Sequence, residues 1–173
     1  VAGPGVGVIS PGAARFYRMV AGKSAGIRRG ADLKGKRITT PPNTSAHYFL
    51  AKMLATAHLS ETDVSLVNIN PVTEMSTALK DQRVDAVAMW EPEAARAIAA
   101  VGSDAIVLQD RRVYRELFNL NTSAKVLGDP AKRRAIVELL RSLIASSEQL
   151  RQRPRQYWPL IASKLNYTPE IIA

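Results

Sequence analysis

A short polar segment near the first strongly periodic stretch of the sequence has the residue types of an anion-binding site. It reads Thr44-Ser45-Ala46-His47, and apolar residues at three- and four-residue spacing predict a helix over 45–57. The first amides of a helix have no partner within the helix and lie at its positive end. The two hydroxyls and the amides of Ala46 and His47 could therefore bind an oxygen of a sulfonate, a carboxylate or nitrate. The same residues also fit a plain N-cap by Thr44 or Ser45.

His47 and the segment Trp90-Glu91-Pro92 are two further places where a side chain could contact a ligand. A neutral His47 could donate a hydrogen bond to an anion or a ring, or it could be a half-buried structural residue of the helix. Trp90 could stack on a solute, and Glu91 could accept a hydrogen bond from an amine or a ring N–H. Alternatively, Trp90 is a packing residue and Glu91 caps the helix that follows.

The elements around these residues alternate between strands and helices. Short apolar runs predict strands and longer periodic runs predict helices, with Gly and Pro at the connections. This alternation indicates an α/β fold with a mostly parallel sheet flanked by helices. In such sheets, ligands bind beyond the carboxyl ends of the strands. The predicted strands are 15–21, 37–40, 64–69, 84–89 and 105–108, and the predicted helices are 45–57, 71–80 and 93–100.

The last third of the sequence is helical. Asp129-Pro130 is a helix start with proline at the first helical position, Pro154 ends this long helix, and a second helix is predicted over 157–165. Large aliphatic residues form one stripe along the long helix. The stripe consists of Ile136, Leu139, Leu140, Leu143, Ile144 and Leu150.

Composition excludes several classes of function. The 173 residues contain no cysteine, which excludes a disulfide framework, a cysteine nucleophile and a thiolate metal site. Two histidines do not build a catalytic zinc site unaided, and no serine–histidine–aspartate arrangement or carboxylate pair stands out. We therefore predict no enzyme activity, no metal and no cofactor. The net charge of +9 comes from basic residues interleaved with acidic ones, which favours attraction of small anions and no nucleic-acid function.

Three motifs carry a resemblance to a known family. The lead-in Asp32-Leu33-Lys34-Gly35-Lys36, the helix start 45–50 (SAHYFL) and the strand end 84–92 (VDAVAMWEP) occur in that order. Over about residues 20–173, the chain resembles the solute-binding proteins of ABC importers for sulfonates, nitrate, taurine and thiamine precursors. The resemblance implies a type II periplasmic-binding-protein fold that captures a small anionic or polar solute in an inter-lobe cleft. It also implies an ABC permease in the membrane as partner, and a periplasmic or lipid-anchored extracytoplasmic location.

The resemblance also implies a division of the chain. Residues 24–113 would form lobe two, while 1–23 and 114–173 would supply hinge strands, near 15–21 and 118–126, and a remnant of lobe one with the C-terminal helices. Family members carry further residues before the first hinge, so we expect a truncated chain with half a site. The C-terminal helices with the apolar stripe would then pair with a second copy in a homodimer or be swapped between copies; if neither happens, we expect that segment to be partly disordered.

Within the family pattern, the helix start at 44–47 faces the ligand, and the resemblance supports Trp90 as a site residue more than Glu91. Asn121, on the returning hinge strand beside Asn119 and Thr122, is a further candidate ligand contact.

Two other classes share this topology. One is the effector-binding domain of LysR-type transcription regulators, which would be cytoplasmic. The other comprises desulfinases and fungal thiamine-pyrimidine synthases, which depend on cysteines that this chain lacks. The helix-start and strand-end motifs favour the transporter branch.

Overall fold

The computed structural model describes residues 6–15, 17–110 and 112–172. Two compact units divide the chain: a central unit, Ala14–Glu116, and a terminal unit, which combines Val1–Ala13 with Leu117–Ala173. The predicted lobe 24–113 lies inside the central unit, and its exact limits and the hinge strands stay predictions. Residues 1–5, 16 and 173 of the predicted flanking segments, and residue 111 of the predicted lobe, lie outside the described residues.

The described residues contain seven strands and seven α-helices. The strands are β1 (Val6–Arg15), β2 (Tyr17–Gly22), β3 (Arg37–Thr39), β4 (Ser65–Leu66), β5 (Ala86–Trp90), β6 (Ala105–Leu108) and β7 (Glu116–Ser123). The helices are α1 (Ser45–Thr56), α2 (Met75–Lys80), α3 (Glu93–Val101), α4 (Ala124–Gly128), α5 (Pro130–Gln152), α6 (Pro154–Leu165) and α7 (Pro169–Ile172). This confirms the predicted α/β class.

The central unit is built on a five-stranded sheet of order β4-β3-β5-β2-β6. Strand β3 runs parallel to both β4 and β5, whereas β2 runs antiparallel to β5 and to β6. Four strands therefore point one way and β2 alone points the other way. As a consequence, the first residues of β2 and the last residues of β5 lie at the same end of the sheet, and Tyr17 is opposite Trp90.

Helices cover both faces of this sheet because successive strand residues point to opposite sides. Met19 and Ala88 pack with α1 in one buried cluster, whereas Val20, Val87 and Met89 belong to a second cluster with residues of α2 and α3. Near-continuous burial of β2 and β5 is the expected consequence of a sheet covered on both sides. This packing fixes the strand ends that carry the candidate site.

Some predicted boundaries were wrong. The strand predicted over 64–69 is reduced to Ser65–Leu66, because its partner β3 ends at Thr39 and the following Pro41 and Pro42 have no N–H to continue a ladder. The first strand, β1, is ten residues long and pairs with β7. The strand expected over 118–126 ends at Ser123, whose hydroxyl accepts from the amide of Val126 and caps α4.

A single ion pair joins the amino ends of the two site-bearing strands. The Arg37 guanidinium contacts Asp85 at 2.8 Å, and the Arg37 amide donates to the same carboxylate at 2.8 Å. The Asp85 amide in turn donates to the Arg37 carbonyl at 2.8 Å. Hydrogen bonds from the Arg37 side chain hold the pKa of Asp85 below its usual range. Asp85 thus ties β3 to β5.

Replacing this carboxylate should destabilise the chain in a pH-dependent way. We expect Asp85→Asn to lower the free energy of unfolding by about 1–3 kcal/mol at neutral pH, because three donors of Arg37, the backbone amide and two guanidinium N–H groups, lose an ionised acceptor. A carboxyl group with a lowered folded pKa stabilises above its unfolded pKa, and this contribution disappears as the pH falls through the folded pKa. The disadvantage of the variant should therefore shrink in acid. Urea unfolding at neutral and acidic pH measures the difference in free energy of unfolding between the variant and the unmodified chain. An equal difference at both pH values would contradict this account.

The terminal unit carries exposed apolar side chains. Helix α5 begins at the predicted cap, where Asp129 accepts from the amides of Ala131 and Lys132. On its predicted stripe, Leu139 is 51% exposed and Ile144 60% exposed, and Leu143 and Leu150 are exposed as well. Within the described part of the chain, none of the helices is long and apolar enough to span a bilayer.

Candidate solute site at the carboxyl edge of the sheet

The predicted site segments converge at one edge of the central sheet. Helix α1 follows the carboxyl end of β3, and Trp90 closes the adjacent parallel strand β5. From β3 the chain crosses to β4 on one side, and from β4 it returns to β5 on the other side. Ligands bind at such a topological switch point in open α/β sheets. Trp90 and the start of α1 also belong to the same face, since Trp90 packs against the buried cluster that contains Ala46.

Thr44 occupies the N-cap position of α1 but does not cap it. Its backbone is extended, and its hydroxyl donates to the carbonyl of Pro41 at 2.7 Å. The first intrahelical bond runs from the amide of Tyr48 to the carbonyl of Thr44. The amides of Ser45, Ala46 and His47 thus precede the helical ladder and receive no side-chain cap from Thr44. The plain N-cap alternative does not describe Thr44.

The His47 ring is held by the protein on one side, where its Nδ1 accepts from the Asn43 amide at 3.2 Å. On the other side, Nε2 lies 3.1 Å from Glu61 Oε1 but has no hydrogen-bond partner within the described residues. The ring therefore fixes the loop before α1. At the candidate site, His47 offers its backbone amide.

Ser45 belongs to a row of three polar side chains. The Tyr17 hydroxyl lies 2.7 Å from Ser45 Oγ and also bonds to a carboxylate oxygen of Glu116. Tyr17 is 2% exposed. Burial, followed by the bond to Glu116, raises the pKa of Tyr17 to about 12. The phenol therefore keeps its proton at neutral pH, and the Ser45 hydroxyl has a fixed protein partner. The side chain of Ala46 is fully buried, so only its amide could meet a ligand.

An aromatic cluster lies beside the helix start. The ring of Tyr17 is 5.6 Å from that of Phe49 and 5.2 Å from that of Tyr114, while Tyr114 meets Tyr48 edge-on at 5.4 Å. Tyr48 is 52% exposed and Trp90 is half-buried. The helix start is thus bordered by aromatic surface on which the body of a solute could pack.

The Glu91 carboxylate already contacts two groups of the central unit. Its carboxylate lies 2.6 Å from Nε of Arg18 and accepts from the amide of Ala95 at 3.2 Å. The hydrogen bond from the Ala95 amide corresponds to the alternative stated above, in which Glu91 caps the helix that follows. A direct contact between Glu91 and a solute stays a prediction. The solute would have to compete with Arg18 for the Glu91 carboxylate.

Asn121 lies outside this arrangement. It is an exposed residue of β7 in the terminal unit, as Asn119 is. Its role as a ligand contact stays a prediction.

Sequence reasoning missed Tyr17, Tyr114 and Glu116. Tyr17 alternates with Met19 as an apolar strand residue and so indicated core packing, and nothing in the sequence linked it to Glu116, 99 positions later. The buried hydroxyl groups of Thr39 and Thr40 were also missed, and neither has a hydrogen-bond partner within the described residues. No group of three metal-ligating acidic or histidine side chains occurs in the described part of the chain.

The five-stranded sheet flanked by helices has the fold of solved periplasmic binding proteins of ABC transporters. The aliphatic sulphonate binding protein SsuA of Escherichia coli has a TM-score of 0.73 and 20% identity, over 92% of this chain and 54% of that one. The sequence profile of the family described as NMT1/THI5 like matches residues 6–138, and the chain belongs to that family.

Two further similar proteins limit what this similarity implies about function. A Brucella abortus protein named as a binding protein is 36% identical over 67 residues, 39% of this chain and 21% of that protein. The desulfurization enzyme DszB has a TM-score of 0.68 at 16% identity, over 97% of this chain and 61% of the enzyme. The chain therefore spans little more than half the length of these structures. The fold alone accommodates both binding proteins and an enzyme.

Proposed function

We propose that this chain is the solute-binding component of an ABC importer and captures a small anionic or polar solute at the start of α1. The observation that carries the proposal is the unused N-cap: the Thr44 hydroxyl turns to Pro41, and the amides of Ser45, Ala46 and His47 are left at the ligand edge of the sheet. Such amides at the positive end of a 12-residue helix bind anions without a basic side chain.

The rest of the solute would pack on the aromatic border. Trp90 and Tyr114 are half-buried and Tyr48 is exposed, so their rings offer apolar contact next to the polar helix start. A sulfonate, nitrate, taurine or a thiamine precursor would fit this division into a polar head and a body. Family membership and the likeness to sulphonate binding proteins support these classes. The net charge of +9 would raise the local concentration of anions.

The proposal includes no chemical step. The enzyme branches that share this fold depend on cysteine, and the 173 residues contain none. Its role would be capture and delivery to an ABC permease from a periplasmic or lipid-anchored extracytoplasmic position, as family membership supports.

Tryptophan fluorescence tests the proposal. We expect titration with alkanesulfonates, nitrate or pyrimidines to shift the emission of Trp90, because a bound solute changes the polarity around its half-buried ring. Trp158 lies in α6 of the terminal unit and should not respond. Trp90→Phe should remove the signal and Trp158→Phe should preserve it; the reverse pattern would contradict the assignment.

A further inference from the structure

A cavity of about 180 Å³ lies where the pairing between β3 and β4 ends. Near this end, a backbone hydrogen bond runs from the Val67 amide to the Ile38 carbonyl at 2.9 Å. Pro41 and Pro42 follow β3 and have no N–H with which to extend the ladder. The two segments therefore stop pairing, and the cavity lies between them and His47 in the first turn of α1.

Two buried polar atoms belong to residues that line this cavity, Thr40 and His47. Thr40 is 7% exposed, and its hydroxyl oxygen has no hydrogen-bond partner within the described residues. The same is true of His47 Nε2, which lies 3.1 Å from Glu61 Oε1 without forming a hydrogen bond. Buried polar groups almost always have a partner, either in the protein or in a bound molecule. The Thr40 hydroxyl therefore points to a bound molecule as its partner.

Apart from the exposed Asn68, the remaining lining residues are the apolar Ile38, Pro42, Leu66 and Val67. Among the described residues, no lysine, arginine, aspartate or glutamate lines the cavity. A charged group inside it would lose water without gaining a counter-charge. An apolar cavity of about 150 Å³ accepts benzene. This cavity therefore has room for an uncharged molecule of about seven non-hydrogen atoms.

We propose that this cavity is a binding site for a small uncharged hydroxy compound with an apolar body, such as a phenol. A hydroxyl group both donates and accepts, so it can pair with the Thr40 hydroxyl in either direction. The apolar body would pack against Ile38 and Leu66. This site is separate from the helix start and does not depend on the proposed function, because Ser45 and Ala46 do not line the cavity.

Phenol and toluene form a matched pair of probes, because a hydroxyl group in one replaces a methyl group in the other. In titrations of the isotopically labelled chain, we expect saturable shifts at the methyl groups of Ile38, Leu66 and Val67, which give the two affinities. Thr40→Val keeps the shape of the side chain and removes its hydroxyl. It should lower the ratio of phenol affinity to toluene affinity by about tenfold, the effect of one hydrogen bond. Thr40→Ser keeps the hydroxyl and should keep the ratio.

A second pair of variants tests the position of the ligand. Leu66→Trp fills the cavity from an exposed position of β4 and should abolish binding of both probes. Ser65→Trp adds the same side chain at the neighbouring exposed position, which does not line the cavity, and should preserve binding. Absence of saturable phenol binding to the unmodified chain would mean that water alone fills the cavity and would overturn the inference. An unchanged affinity ratio in Thr40→Val would overturn it as well. Both results would leave the proposed function standing.

Discussion

Replacing Thr44 by aspartate should reduce solute affinity by about 100-fold without unfolding the chain. An N-cap aspartate accepts from the first-turn amides, the same donors that the proposed site presents to an anion, and it adds a like charge beside them. The variant loses the hydrogen bond to the Pro41 carbonyl and gains hydrogen bonds that cap the helix. We expect these changes to leave the free energy of unfolding within about 1 kcal/mol of that of the unmodified chain. Calorimetric titration and urea unfolding of the same variant measure the two effects.

Two matched variants separate capping from charge. Thr44→Asn caps the amides without a charge and should reduce affinity by about tenfold. Thr73→Asp adds the same charge at an exposed position before α2 and should leave affinity unchanged. An unaltered affinity in Thr44→Asp would remove the helix start from the site.

The chain should form a dimer through α5. The leucine and isoleucine side chains at 139, 143, 144 and 150 are exposed along one stripe of α5. Large exposed apolar surfaces usually mark interaction sites. At about 25 cal/mol per Å² of buried apolar surface, covering such a stripe is worth several kcal/mol. A second copy of the chain presents the same surface, so a symmetric pairing is available. Light scattering over a concentration series should show the dimer.

Leu143→Arg should convert this dimer to a monomer, because it places a charge in the middle of the stripe. Ala145→Arg adds the same side chain to an exposed position on the opposite side of α5 and should leave the dimer intact. A monomeric unmodified chain, or equal effects of both substitutions, would contradict this pairing.

Local signals predicted the elements that carry the site. The periodicity over 45–57 predicted α1, and the apolar runs at 37–40 and 84–89 predicted β3 and β5. Each of these signals depends only on residues that are neighbours in the sequence and whose side chains are buried at regular spacing. The role of the helix start as a binding element stays a proposal.

The partners of the site side chains were not predictable in the same way. Glu61 beside His47, Arg18 beside Glu91 and Glu116 beside Tyr17 are contacts between distant positions of the chain. A sequence pattern shows that a histidine or carboxylate is available for a ligand. Whether another side chain already occupies it depends on packing. For this reason the hypothesis for Thr44–His47, which combined two hydroxyls, two backbone amides and the His47 ring, is reduced to the backbone amides.

Amide chemical shifts test the central claim most directly. In a titration of the isotopically labelled chain with ethylphosphonate monoanion, the amide protons of Ser45, Ala46 and His47 should shift most, together with the indole proton of Trp90. Amides around the arginine-lined surface of α5, at Arg133, Arg134 and Arg141, should stay in place. Saturable shifts at α5 with unchanged amides at 45–47 would contradict the claim that this helix start holds the solute.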